Sequence, residues 1–91
     1  MEQQESQVRS RVRTYLDENF LYMRPNFVLG DDDRLLERGV VDSMGVVEMV
    51  SFLEDEFGIK TSDEEISEAN LGSLRAIARF VCAKRAMTAA A

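Results

Sequence analysis

Apolar residues along this chain recur at three- and four-residue intervals, with no sustained alternation at two, so the pattern predicts helices and no sheet. The first predicted helix runs from about Glu5 to Met23, where Val8, Val12, Tyr15, Leu16, Phe20 and Met23 make one apolar stripe. Pro25 disfavours helical geometry at Arg24 and is expected to end it. The second runs from Ser43 to about Phe57. Met44, Val47, Val50, Leu53 and Phe57 fall on its core side, while Glu48, Ser51, Glu54 and Asp55 lie largely away from it. Gly58 stands where a helix end favours a left-handed residue. Ser62, followed three residues later by Glu65, has the form of a capping box and predicts a short third helix carrying Ile66. After a break at Asn70 to Ser73, the stripe of Leu74, Ile77, Ala78 and Val81 predicts a last helix ending near Arg85. The expected fold is all-α, a small bundle of three main helices and one short one.

Between the first two helices lies a long connection, Asn26 to Asp42. Its Phe27, Val28, Leu29, Leu35, Leu36, Val40 and Val41 are too apolar for a free linker, so it is expected to fold back over the core. Asp31, Asp32 and Asp33 do not make a calcium loop. An EF-hand starting at Asp31 needs an oxygen ligand where Leu35 stands and glycine where Leu36 stands, so the run reads as a solvated turn.

Length and charge narrow the function. Ninety-one residues give one domain, 1–91 with a core of about 5–86, too small for a core plus a deep enclosed active site. No apolar run is long enough to span a membrane, and the start, Met1 to Ser6, lacks the features of a signal peptide. The single Cys82 excludes an internal disulfide and fits a reducing cytoplasm; on the flank of the last stripe it reads as a small packed side chain. A net charge of −6 argues against nucleic acid as a partner. The charge is also uneven: Asp42 to Glu68 holds nine acidic residues against Lys60, a docking surface for basic proteins or simply a solvated face. Short alanine-rich sequence, Ala89 to Ala91, closes the chain.

Much chemistry is missing. Without histidine there is no Ser-His or Cys-His nucleophile pair, and one cysteine without histidine makes a zinc site implausible. No glycine-rich phosphate loop occurs. Catalysis by the chain itself is not expected. What remains is the segment from Leu35 through Asp42-Ser43-Met44-Gly45 to Glu48.

That segment resembles the attachment region of acyl, aminoacyl and peptidyl carrier proteins, in which an Asp-Ser-Leu or Asp-Ser-Met tripeptide opens the second helix. The likeness continues through Leu53 to Ile59 and Leu71 to Ile77, and so covers almost the whole chain. It implies a four-helix bundle of the acyl-carrier-protein type and a 4′-phosphopantetheine arm, taken from coenzyme A, on Ser43. Asp42 and Met44 are then flanking recognition residues. A serine in this place is also a common N-cap. Asp42, one residue earlier, can take that role and leave the Ser43 hydroxyl free, while an anionic phosphodiester there would lie near the positive end of the helix.

The resemblance also implies partners: a phosphopantetheinyl transferase, an adenylating ligase or synthase, and a downstream acyltransferase or condensing enzyme, all met by a monomer. Val46 and Met49 fall outside the core stripe and are read as exposed apolar contacts for them, with Glu48, Glu54 and Asp55 as candidates for ion pairs. Fatty-acid carriers often place an acidic residue where Gly45 stands, and Asp-Ser-Met-Gly is closer to D-alanyl and other stand-alone aminoacyl carriers. The cargo reading therefore leans to an amino acid or a specialised acyl group. A fatty-acid or polyketide carrier, and an unmodified helical interaction module, remain as alternatives.

Overall fold

The computed structural model describes the backbone of residues 2–90 and the side chains of residues 4–87. Met1 and Ala91, at the two ends noted above, therefore lie outside the described residues. Helix α1 is Glu2–Asn19, α2 is Ser43–Phe57, α3 is Glu68–Leu71 and α4 is Leu74–Ala90, with a single 3-10 turn at Asp63–Glu65 before α3. Among the described residues there is no strand. No helix among them is long and apolar enough to cross a membrane.

Helix α4 packs against α1, α3 and α2, because its stripe of Leu74, Ile77, Ala78 and Val81 is wholly buried. Val8, Val12 and Leu16 of α1 and Met49 and Leu53 of α2 complete the centre, all withdrawn from solvent. Cys82 lies half-buried against this core, and burial raises its thiol pKa. Such a thiol is less reactive than a free one.

The predicted first helix is too long at its carboxyl end. It stops at Asn19, where the Phe20 and Leu21 N–H groups both donate to the Leu16 carbonyl, at 2.8 and 3.0 Å. This tight ending precedes Pro25 by six residues and turns Leu21 into the core in place of Met23, which is 77% exposed. The short third helix is also different. Glu65 does accept the Ser62 N–H at 2.9 Å, but the turn ends there and Ile66 falls between two pieces. Ser67 starts α3 by accepting the Asn70 N–H. The break is thereby shortened to Gly72 and Ser73, and the Ser73 hydroxyl accepts the Ala76 N–H at 3.2 Å. Gly58, at φ 67°, does close α2 in the left-handed region and returns its N–H to the Glu54 carbonyl.

The long connection folds over the core as its apolar content requires. Leu29, Leu35, Val40 and Val41 are buried, although Val28 and Leu36 face outward. The three aspartates are more than a solvated turn. Asp31 pairs with Arg9 and Arg13 of α1, Asp32 with Arg75 of α4, and Asp33 with Arg38 of the connection itself. The connection is thus fastened at one short run to both long helices.

These pairs give the fold an acid-sensitive fastening. The Arg75 hydrogen bond holds the Asp32 carboxyl below its usual range, and the Gly30 N–H followed by Arg38 does so for Asp33. The Ser62 N–H and then Lys84 lower Glu65 in the same way. A carboxyl whose folded pKa is depressed adds stability above its unfolded pKa and loses it as pH falls through the folded value. The urea midpoint is therefore expected to stay level above about pH 5 and to decline below about pH 4. The decline is modest because the groups are exposed, and it shrinks in Asp32→Asn/Asp33→Asn. A midpoint unchanged between about pH 6 and about pH 3, an interval that spans the carboxylate range, would contradict this fastening.

Candidate functional site

The candidate site is the amino-terminal end of α2, and the connection delivers the chain to it. Val40 and Val41 are buried and both donate their N–H groups to the Leu35 carbonyl, at 2.9 and 3.4 Å. Leu35 in turn donates its own N–H to the Gly72 carbonyl at 2.9 Å. The chain leaves this anchored stretch at Asp42, whose extended backbone (φ −107°, ψ −173°) makes it the N-cap of α2. Its Oδ1 accepts the Gly45 N–H at 2.7 Å, and its carbonyl accepts the Val46 N–H at 2.9 Å.

Capping by Asp42 decides what Ser43 can do. Ser43 is exposed at the first position of α2, and its hydroxyl has no role in the cap. The N–H groups of Ser43 and Met44 precede the first intrahelical bond and stay open to a ligand. An exposed hydroxyl beside open N–H groups, at the positive end of a 15-residue helix, fits a phosphodiester.

Around Ser43 the side chains do not fall as the apolar stripe predicts. Met44 and Val47 are 74% and 63% exposed, whereas Met49 is fully buried and Val46 half-buried against the core. Met49 is therefore no exposed contact, and Val46 only lines a groove. The buried line is Gly45, Met49 and Leu53, flanked by Val50, and the outer line is Met44, Val47, Glu48, Ser51 and Asp55. Apolar residues at 44, 46, 47, 49 and 50 surround the helix start and leave its phase ambiguous. The polar positions 48, 51 and 55 were the better signal, since Met44 and Val47 share their face.

The acidic candidates also divide. Glu48 and Asp55 are exposed and make no ion pair among the described residues. Glu54 is turned to the protein, where its carboxylate accepts the Thr61 N–H at 2.8 Å and holds the chain after Gly58. Glu56 pairs with Arg11 at 3.2 Å, and Glu65 with Lys84 at 3.0 Å, so part of the acidic block secures the fold.

Two open depressions flank Ser43. One, of about 280 Å³, runs between α2 and α3 and is lined by Leu35, Leu36, Val46, Val47, Ile66 and Leu71, with Ser67 and Glu68 also on its wall. The other, of about 520 Å³, lies on the side of Phe20, Gly39 and Val40. Sequence reasoning missed the first because Ile66 and Leu71 come from the piece whose helical bounds it misplaced. No cluster of histidine, cysteine, aspartate or glutamate able to hold a metal occurs among the described residues.

Comparison with known proteins places this geometry. The family model described as phosphopantetheine attachment site matches residues 10–81, from the middle of α1 to the buried Val81 of α4. No curated protein matches the sequence of the chain. A match over most of the chain, together with the all-helical bundle and the capped helix start, leads to one conclusion: the chain belongs to the phosphopantetheine-attachment family and is a carrier protein that bears a covalently bound 4′-phosphopantetheine.

Proposed function

We propose that Ser43 is the residue that carries the arm, and that the chain presents cargo to partner enzymes without making or breaking bonds of its own. The observation that carries this reading is the Asp42 cap, which occupies the Gly45 N–H and leaves an exposed Ser43 hydroxyl. In the loading step the Ser43 Oγ forms a bond to phosphorus as the pyrophosphate bond of coenzyme A breaks. Adenosine 3′,5′-bisphosphate leaves, and the hydroxyl proton passes to a base of the transferase. The bound arm supplies a terminal thiol that holds cargo as a thioester. Asp42 keeps the helix start ordered, and the open N–H groups of Ser43 and Met44 would be available to the phosphodiester.

Partner enzymes meet the outer line of α2 on this reading. Met44, Val47 and Leu36 offer exposed apolar contacts beside Ser43, and Glu48 and Asp55 offer charge without having to break an internal pair. Small apolar contacts ringed by charge suit brief, specific encounters rather than permanent association. The cargo is an amino acid or specialised acyl group joined by a separate adenylating ligase, which the Asp42-Ser43-Met44-Gly45 order supports. The apolar groove beside Ser43 favours a second reading, a more hydrophobic acyl chain laid between α2 and α3.

Intact-mass measurement after incubation with coenzyme A and a broad-specificity transferase tests the attachment. Wild type is expected to gain the mass of one arm, and Ser43→Ala to gain none. No gain on a folded wild-type chain, with an active control substrate, would sink the reading. Competition between amino acids and fatty acids for the modified chain, each with its ATP-dependent ligase, decides the cargo.

A further inference from the structure

Gly45 has a cause in the packing of this protein. It is buried, and a methyl group added to it would lie 2.9 Å from Phe20 Cε1 and 3.2 Å from Val41 Cβ. The first distance is closer than carbon atoms approach without something moving, and the second is tight. Val41 Cβ is fixed to buried backbone, so any adjustment falls on Phe20 or on the first turn of α2.

Phe20 is half-buried and also borders the larger depression, so its ring can give way on that side only by leaving its packed position. Its backbone follows the end of α1 directly, with its N–H held by the Leu16 carbonyl at 2.8 Å. Its ring meets Tyr15 edge-on, at 5.8 Å between centroids and 67° between planes. Tyr15 in turn stacks on Phe52 of α2 at 4.0 Å and 12°. The rings form a continuous run from the first turn of α2, across α1, to the third turn of α2. Aromatic pairs of this kind add to simple area burial and have preferred geometries.

We propose that Phe20 and Gly45 form a steric register between the end of α1 and the first turn of α2, and that this contact sets the pose in which Ser43 is offered to the transferase. Phe20 is a positioning residue acting through Gly45, two residues from Ser43. The proposal rests on Ser43 being the attachment serine. It also accounts for glycine after Asp42-Ser43-Met44 by packing, independently of what the arm carries.

The test uses the full chain as wild type, Gly45→Ala, Phe20→Leu and the double variant, since leucine lacks the Cε1 atom that meets the added methyl. Modification by a broad-specificity transferase with coenzyme A is followed by intact mass, with the chain as the varied substrate. Gly45→Ala is expected to lower kcat about tenfold while KM stays within about twofold, because the docking face is untouched and the hydroxyl is misplaced. The double variant is expected to return to within about threefold of wild type, a non-additive rescue that marks direct coupling. Amide exchange on the unmodified chain is expected to quicken at Val46 and Val47 in Gly45→Ala, with Leu53 of the same helix unchanged.

Gly45→Ala modified at the wild-type rate, or a double variant no faster than Gly45→Ala, would overturn the proposal. If Gly45→Ala fails to fold, the double variant must fold; a double variant that also fails overturns it. Wild type that gains no mass, or Ser43→Ala that still gains it, would instead sink the attachment reading. The exchange comparison judges the steric register in that case, because it needs no modification, and uniform exchange along α2 counts against it.

Discussion

Lysine in place of Met49 is expected to unfold much of the protein, whereas lysine in place of Val47 is expected to leave the fold intact and slow its use by partners. Met49 is fully buried between α2 and the rest of the core, and no polar or charged residue among the described ones is buried there to receive an ammonium. An unpaired charge forced into such a site costs about 3–5 kcal/mol, against a total stability of roughly 5–15 kcal/mol for native domains. A domain of this size lies toward the lower end of that range. Val47, two residues earlier, is 63% exposed, and its substitution is expected to stay within about 0.5 kcal/mol. Its consequence falls on the proposed docking face, where losing one apolar contact is expected to raise the KM for the transferase about tenfold. Thermal unfolding by circular dichroism and transferase kinetics check both halves. A Met49→Lys protein that melts with wild type would contradict the placement of this helix, and so would a Val47→Lys protein that fails to fold.

Leu35→Ala is expected to be nearly as severe, although it lies in no helix. Leu35 is 1% exposed, donates its N–H to Gly72 and accepts the N–H groups of Val40 and Val41. Truncating a buried leucine costs about 2–5 kcal/mol. For a domain of this length that lowers the unfolding midpoint by on the order of 10–20 °C. The adjacent Leu36 is 48% exposed, and Leu36→Ala is expected to move the midpoint by only a few degrees, roughly the effect of an ordinary surface change. The backbone bonds of residue 35 survive this change, but loss of the Leu35 side chain loosens the packing under Val41 and with it Asp42, so modification of Ser43 is expected to slow even where the protein remains folded. Equal midpoints for the two variants would show that the connection is not the fastening described here.

Much of this was readable from residue spacing. The stripe of α4, Leu74 to Val81, is interrupted only by small or charged residues apart from Phe80, which is itself buried, and all four of its predicted members are buried. The Asp42 cap and the Gly58 ending were legible because each residue type has a strong local preference there. The phase of α2 was not legible from its apolar residues alone, since Met44, Val46, Val47, Met49 and Val50 offer two competing faces. Only packing against Phe20, Tyr15 and the connection chooses between them. The end of α1 was misplaced because Pro25 is a sufficient stop but not the first one; the chain turns earlier to bury Leu21. The pairing of Asp31 and Asp32 with Arg9, Arg13 and Arg75 joins residues far apart in sequence, and no local pattern marks it; only Asp33 finds its partner, Arg38, within the connection.

The arm is expected on Ser43 and on no other serine of the chain. Tryptic digestion of the chain, after modification with coenzyme A and a transferase, isolates the question. Cleavage after Arg38 and Lys60 yields one peptide, residues 39–60, that holds Ser43 together with Ser51. Fragmentation of that peptide is predicted to place the added mass between Val41 and Met44, with the Ser51 end unmodified. An arm found on Ser51, or on a peptide outside residues 39–60, would contradict the account.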